Sequence, residues 1–154
     1  MKKTIAFILI GVMIITIFGC SQANDNNTKE VYNPDFRNIK WGMSKEEVKE
    51  KENSSLNEEN SDGLIYEDLK FAELNAGIGY FFTGNRLNQI VVLFEEGNLY
   101  NYEKVQKYLI DQYGDTDLEN SRGGTSSFWK VEDEQLSVRL TLDDNGLNIM
   151  YLKD

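Results

Sequence analysis

The chain has 154 residues, of which 26 are Asp or Glu and 16 are Lys or Arg, so its formal net charge at neutral pH is −10. This acidic balance disfavours nucleic acid and anionic lipid headgroups as partners. The chain has no histidine and a single cysteine, Cys20, which excludes Ser-His-Asp and Cys-His catalysis, zinc sites that use histidine, and an intramolecular disulfide.

Residues 1–19 have the composition of an export signal, because two lysines precede an uncharged, mostly apolar run over residues 5–18. This run is shorter than the roughly 20 residues that a membrane-spanning helix needs. It ends in IFGC, residues 17–20, which resembles the lipobox of bacterial lipoproteins. The resemblance implies cleavage before Cys20 and a diacylglyceryl group on its sulfur, which would anchor the protein on the extracytoplasmic face of the cell membrane. A plain secretory signal that ends in a chance cysteine is the alternative.

Residues 20–35 are predicted to be a flexible tether, because they carry almost no large apolar groups and contain the one proline of the chain. A coil of this length spans about 20 Å, so the rest of the chain would stand just off the membrane. Residues 36–154 are then predicted to be a single domain, which is long enough to form one hydrophobic core.

The first half of this domain, residues 36–97, is predicted to contain a helix and three strands. Ser44 and Glu47 have the spacing of a capping box, so the helix begins at Lys45. A polar loop, SSLNEENSDG, separates this helix from a short strand at IYED. An alternating strand, AELNAGIGYFF, comes next, followed by a TGNR turn and a returning strand, LNQIVVLFEE, that is apolar on both faces.

The second half, residues 98–154, has the same predicted order. Tyr102, Val105, Leu109 and Tyr113 share one face of a helix with Asn101 as its N-cap and Gly114 just beyond its end. The loop DTDLENSRGG then leads to the strands TSSFWKV, QLSVRLTL and LNIMYL, the last two joined by an Asn-Gly turn.

Two similar hairpin segments, NRLNQI from Asn85 and NGLNIM from Asn145, lie 60 positions apart. This spacing, together with the repeated order of elements, indicates an internal duplication, although a chance likeness of two hairpins remains open. We therefore predict an α+β fold in which two αβββ units, residues 36–97 and 98–154, form one antiparallel sheet with both helices on one face.

A family resemblance rests on Ile39, Gly42, Met43, Ser44 and Val48, which form an Ile-x-x-Gly-Met-Ser-x-x-x-Val motif at the predicted helix start. With the lipobox and the tether, this motif resembles the SmpA/OmlA small lipoproteins of the outer-membrane assembly machinery. The doubled form resembles the β-lactamase inhibitor protein fold. These resemblances imply a protein-binding role without catalysis, in envelope assembly or in enzyme inhibition, and no cofactor.

Three patterns in the sequence are candidate sites for chemistry. Ser127 and Lys130 match the Ser-x-x-Lys pattern of penicillin-recognising enzymes, but a strand points positions three apart to opposite faces. Asp115, Asp117 and Glu119 alternate as in a calcium loop, but the glycine and the glutamate that complete an EF-hand loop are missing. Paired carboxylates such as Glu95-Glu96 and Asp143-Asp144 could serve a hydrolase, yet they stand where acids are common, at strand ends and turns.

The candidate partner-binding surface lies on the two central strands of the first unit. Alternate glycines leave exposed backbone that another chain or an aromatic ligand can approach closely. With the residues assigned to the same face, the surface comprises Gly77, Gly79, Phe81, Ile90, Val92 and Phe94. An unidentified protein is the expected partner. A small-ligand sensor or carrier and a carboxylate-dependent hydrolase remain alternatives.

Overall fold

The structure is a computed structural model that describes residues 39–121 and 123–153. The predicted signal, Cys20 and the tether lie outside the described residues. Two α-helices, one 3₁₀ turn and eight strands are formed, in the order α1 (Lys45–Lys51), β1 (Ser55–Glu59), β2 (Gly63–Phe71), β3 (Leu74–Thr83), β4 (Arg86–Phe94), α2 (Leu99–Tyr113), β5 (Asp117–Ser121), β6 (Gly124–Val131), the 3₁₀ turn (Glu132–Glu134), β7 (Leu136–Asp143) and β8 (Gly146–Lys153). Neither described helix is long and apolar enough to cross a membrane.

All eight strands belong to one sheet with the order β1-β2-β3-β4-β8-β7-β6-β5. Every pair of neighbouring strands is antiparallel. The first four strands form one meander and the last four form another, and the two meet where β4 pairs with β8. The predicted α+β class and single antiparallel sheet are confirmed.

Both helices contact the same face of this sheet, which carries the hydrophobic core. Val48 of α1 and Val105 and Leu109 of α2 are fully buried. The hydroxyl of Tyr80 on this face donates to Glu52 Oε2, just beyond α1, at 2.8 Å. The helix side of the sheet includes the following buried strand residues: Leu64, Tyr66, Ile78, Tyr80, Ile90, Val92, Trp129, Val138, Leu140, Ile149 and Tyr151.

Each helix is followed by four strands, not by the three that the sequence predicts. The additional strands, β1 and β5, lie at the two edges of the sheet and correspond to segments predicted as loops. Every side chain of β1 is exposed, so the strand has no buried alternation that a hydrophobic pattern could reveal. Its backbone pairing with β2 alone defines it.

The predicted helix starts are confirmed for α1 and corrected for α2. Ser44 caps α1 and forms a complete capping box with Glu47. The N-cap of α2 is Asn98, whose Oδ1 accepts from the backbone N–H of Asn101 at 2.9 Å. Asn101 itself is buried in the first turn and donates its amide to the Glu96 carbonyl at 3.1 Å. Gly114 ends α2 as predicted, with a φ of 86°.

Candidate functional site

The register between β3 and β4 divides the predicted partner-binding surface between the two faces of the sheet. Gly77, Gly79 and Phe81 pair with Leu93, Val91 and Gln89 and face away from the helices. The other three predicted residues pair with core residues of β3 and are themselves buried, at 1% to 8% exposure: Ile90, Val92 and Phe94. The prediction that Ile90, Val92 and Phe94 lie on the outward surface is therefore wrong.

A β-bulge in β4 is the physical reason for this error. Phe82 pairs with Leu87, but Phe81 pairs with Gln89, so Asn88 has no partner in the β3 register. Side chains in a strand point alternately to the two faces of the sheet. One extra residue in β4 therefore moves every later side chain of that strand to the opposite face. Without the bulge, Gly79 would pair with Ile90 and Gly77 with Val92, and these four residues would share one face, as predicted. A strand that is apolar on both faces carries no signal that distinguishes the two registers.

The glycines of the outward face are partly covered by the ring of Phe81. A Cβ on Gly79 would stand 2.8 Å from Cε2 of this ring, and a Cβ on Gly63 in β2 would stand 3.0 Å from its Cδ1. Glycine at these two positions thus allows an aromatic ring to lie flat along the sheet. The predicted bare backbone is confined to the neighbourhood of Gly77, where a Cβ would meet only the Tyr66 carbonyl, at 3.2 Å.

The outward face continues from β4 onto β8, where Val91 pairs with Met150 and Gln89 with Leu152. Leu93, Met150 and Leu152 expose 53%, 37% and 38% of their surface. We call the following outward residues, which lie between the hairpin ends of β3, β4 and β8, the central patch: Asn75, Gly77, Gly79, Phe81, Gln89, Val91, Leu93, Asn148, Met150 and Leu152. None of them is charged, whereas 27% of the whole chain is.

Charged side chains flank the central patch on both sides. On β7, Arg139 pairs with Met150 and places its guanidinium 5.9 Å from the centroid of the Phe128 ring. On β2, Glu67 accepts from the Asn57 amide at 2.7 Å. The outward surface therefore has an uncharged, partly apolar centre and polar margins, which is the composition expected of a protein interface.

Two clefts among the described residues are small. One of about 200 Å³ is lined by Glu73, Leu74, Asn75, Phe94, Glu95, Glu96 and Asn101. Two of its three acids have partners: Lys104 Nζ donates to Glu73 Oε2 at 2.9 Å, and the Asn75 amide donates to Glu95 Oε2 at 3.2 Å. The hydrogen bond from Lys104 and the charge of this lysine hold the pKa of Glu73 below its usual range. The volume is smaller than the 300 Å³ or more that small-molecule sites typically offer.

Glu52 is a buried acid that no sequence motif indicates. Its Oε1 accepts from the backbone N–H groups of Asn53 and Ser54 at 2.8 Å and 2.9 Å, and its Oε2 accepts from Tyr80. Burial, followed by the negative charges of Glu52 and Glu59, raises the pKa of nearby Tyr66. Glu52 therefore holds the chain that leaves α1 against the sheet, and the adjoining cavity of about 40 Å³ leaves no room for a substrate.

The candidate catalytic and metal patterns are not assembled. Ser127 Oγ is buried within 2.7 Å of both the Tyr102 hydroxyl and Gln106 Nε2, whereas Lys130 is exposed on the other face. Asp117 begins β5, so the segment with the alternating acids is a strand, and not a loop, from this residue onward. Among the described side chains, no group of three or more acids or cysteines converges as metal ligands do.

Comparison with known proteins identifies a family. No curated protein and no solved structure matches the chain. A family model described as "Uncharacterised protein" matches residues 36–154, so the match begins where the predicted tether ends. Since this match covers more than half of the chain, the protein belongs to that family.

Proposed function

We propose that the protein is a lipid-anchored, extracytoplasmic module without catalytic activity that binds another protein through the central patch. The observation that carries the binding role is the uncharged central patch on β3, β4 and β8, in which Leu93, Met150 and Leu152 are exposed. An exposed apolar patch with polar margins is typical of protein interaction sites. Roles in envelope assembly and in enzyme inhibition are both versions of this proposal.

The anchoring half of the proposal rests on the sequence. The IFGC segment that ends at Cys20 has the composition of a lipobox, and residues 20–35 have the composition of a tether. Two acyl chains hold a protein stably at a membrane, whereas one gives only reversible binding. A protein held in this way meets its partners at the membrane surface, where a modest interface is sufficient for binding because the effective concentration is high.

We also propose that the two halves arose by duplication of a helix followed by four strands. The junction of β4 with β8 supports this proposal, because Ile90 pairs with Tyr151 and Val92 with Ile149. Along the buried faces of β4 and β8, Ile90 is equivalent to Ile149, and Val92 is equivalent to Tyr151. If each residue is replaced by its equivalent in the other half, the same two residue pairs result. Such a pattern is expected of two copies related by a two-fold axis at the Val91–Met150 pair.

The entries into the two helices support the same duplication. Ahead of α1, the Gly42 backbone N–H donates to the Leu87 carbonyl at 2.9 Å. Ahead of α2, Gly97 lies against β8 so closely that a Cβ would stand 2.7 Å from the backbone nitrogen of Leu147. Leu87 and Leu147 occupy equivalent places in the two hairpin segments, 60 positions apart.

Site-specific photocrosslinking in intact cells tests the binding role. A photoreactive amino acid replaces Leu93 in the central patch, or Leu99 on α2 as the matched control, since both side chains are more than half exposed. We expect the probe at Leu93 to give a discrete crosslinked protein that mass spectrometry can identify and the probe at Leu99 to give none. Equal crosslinking from both positions, or none from Leu93, would contradict binding through this patch.

A further inference from the structure

We infer that the protein which occupies the central patch is a second copy of this chain, packed sheet against sheet around a two-fold axis parallel to the strands. This inference rests on the proposed function, since it identifies the partner of the same surface. Closed two-fold dimers are the commonest oligomers of soluble proteins, and two sheets that bury apolar faces against each other form a stable sandwich about 10 Å thick.

The area of the outward face is sufficient for such a dimer. The six inner strands of the sheet, at about 4.8 Å apart, make a surface about 29 Å wide, and eight residues of strand add a length of about 26 Å. Each copy would therefore cover roughly 750 Å², or roughly 1,500 Å² in total, which lies within the standard range of specific interfaces.

The two halves of the face have complementary shapes. On the β3 side, Gly63, Gly77 and Gly79 carry no side chain, and the Phe81 ring lies flat over two of them. On the β8 side, Met150, Arg139 and Phe128 project from neighbouring strands at one level. An axis between β4 and β8 places the projecting half of each copy over the glycine-lined half of the other. One surface then supplies both partners of the contact, as a two-fold interface requires.

The distribution of charge allows the contact in spite of the net charge of −10. At the axis, the facing residues are Val91 and Met150, and the central patch around them is uncharged. The charged residues that the six-strand contact also includes lie away from the axis: Glu67 on β2, Arg139 on β7 and Lys130 on β6. Repulsion between copies therefore arises from acids at the margins and on the helix side, and salt screens it. A dimer of this acidic chain should become tighter as ionic strength rises, whereas attraction to a cationic protein would weaken.

Crosslinking of the purified full-length protein with a short bis-maleimide tests the inference. Facing sheets lie about 10 Å apart, which is too far for a disulfide between facing strands. Met150→Cys puts a thiol beside the axis, and Leu99→Cys puts one on α2 with greater exposure. We expect a covalent dimer from Met150→Cys, little from Leu99→Cys, and more dimer as ionic strength rises from about 0.01 M to 1 M. The unmutated protein controls for links through Cys20.

Several outcomes would overturn the inference. A thiol at position 150 that gives no dimer at any ionic strength excludes the second copy, and equal dimer from both variants shows unspecific collision. A thiol at position 150 that reacts only with lipid-soluble maleimides in cells would mean that the patch faces lipid. If no dimer forms but the photoreactive probe at Leu93 still captures a different protein, the inference fails while the proposed function stands. If neither the bis-maleimide at position 150 nor the photoreactive probe at Leu93 gives a crosslinked product, both the inferred dimer and the proposed binding function are contradicted.

Discussion

Val92 and Leu93 are adjacent residues of β4 with opposite environments, since Val92 is 1% exposed and Leu93 is 53% exposed. Val92 pairs with Ile78 and Ile149 on the helix side of the sheet, and Leu93 pairs with Gly77 and Asn148 on the outward side. The chemical character of the two side chains is nearly the same, so the register alone decides which of them is core and which is surface.

The same substitution at these two positions should therefore have very different effects on stability. Val92→Asp buries a carboxylate without a partner and should lower the free energy of unfolding by about 3 kcal/mol or more. Leu93→Asp should lower it by about 1 kcal/mol or less. Urea denaturation of both variants measures the difference. A lower midpoint for Leu93→Asp than for Val92→Asp would mean that the bulge is absent, and equal midpoints would contradict the assignment of opposite faces.

Ser44 and Glu47 cap each other at the start of α1, and the stability they contribute should depend on pH. Hydrogen bonds from the backbone and hydroxyl of Ser44 hold the pKa of Glu47 below its usual range. The folded state therefore binds this proton less tightly than the unfolded state does. The contribution of Glu47 is then present above its unfolded pKa and is lost as the pH falls through its folded pKa.

Ser44→Ala should lower the free energy of unfolding at neutral pH by about 0.5–2 kcal/mol. Glu47→Gln should reduce stability at neutral pH, and its difference from the unmutated protein should shrink to nothing as the pH falls below the usual range of glutamate. Denaturation midpoints measured across this range check both expectations. A difference between Glu47→Gln and the unmutated protein that stays constant with pH would exclude the carboxylate as the capping group.

The β3–β4 and β7–β8 hairpins are similar elements with one difference in length. In the second hairpin the register runs without interruption from Asp143↔Gly146 to Leu136↔Lys153. In the first, Asn88 is the unpaired residue of the bulge. Asn148, at the equivalent sequence position, is paired with both Leu93 and Thr141.

Deletion of Asn88 should therefore be tolerated, because Phe82↔Leu87 and Phe81↔Gln89 would become consecutive pairs and Ile90 and Val92 would stay in the core. Deletion of Asn148 should unfold the domain, because it turns Ile149 and Tyr151 outward. The sheet signal in circular dichroism and the thermal midpoint compare the two. Similar stability of the two deletion variants would contradict the assigned bulge.

Among the helices and strands, the sequence predicts those in which buried and exposed side chains alternate with a regular period. The capping box located α1, the period of 3.6 located α2, and the alternations at Ile78–Phe82 and Val138–Leu142 located β3 and β7. The edge strand β1 has no buried side chain that a hydrophobic pattern could indicate, and β5 is defined by its backbone pairing with β6. The outward orientation of Gly77, Gly79 and Phe81 is predictable from the alternation in β3, whereas the orientation of the β4 residues depends on the bulge at Asn88.

For the molecule as a whole, the proposed anchor depends on one sulfur atom. Cys20→Ser removes the only thiol of the chain, so the variant should incorporate no fatty acid and should leave the membrane fraction. Metabolic labelling with a fatty acid, followed by fractionation, measures both effects. Ser21→Ala, at the next position, is the control and should remain labelled. Labelling that persists in Cys20→Ser would contradict the lipoprotein proposal.

The sheet order also determines when each part of the chain can fold. Every strand pair joins neighbours along the sequence except β4 with β8, so the first four strands can assemble through short loops. Synthesis proceeds from the N-terminus, and β4 therefore keeps one unpaired edge until Gly146 and the residues after it have been made. This edge carries Ile90, Val91, Val92 and Leu93, a run of β-branched and apolar residues that readily pairs with other chains. A chain that stops before β8 is therefore a candidate for aggregation, whereas in the complete chain β8 covers that edge.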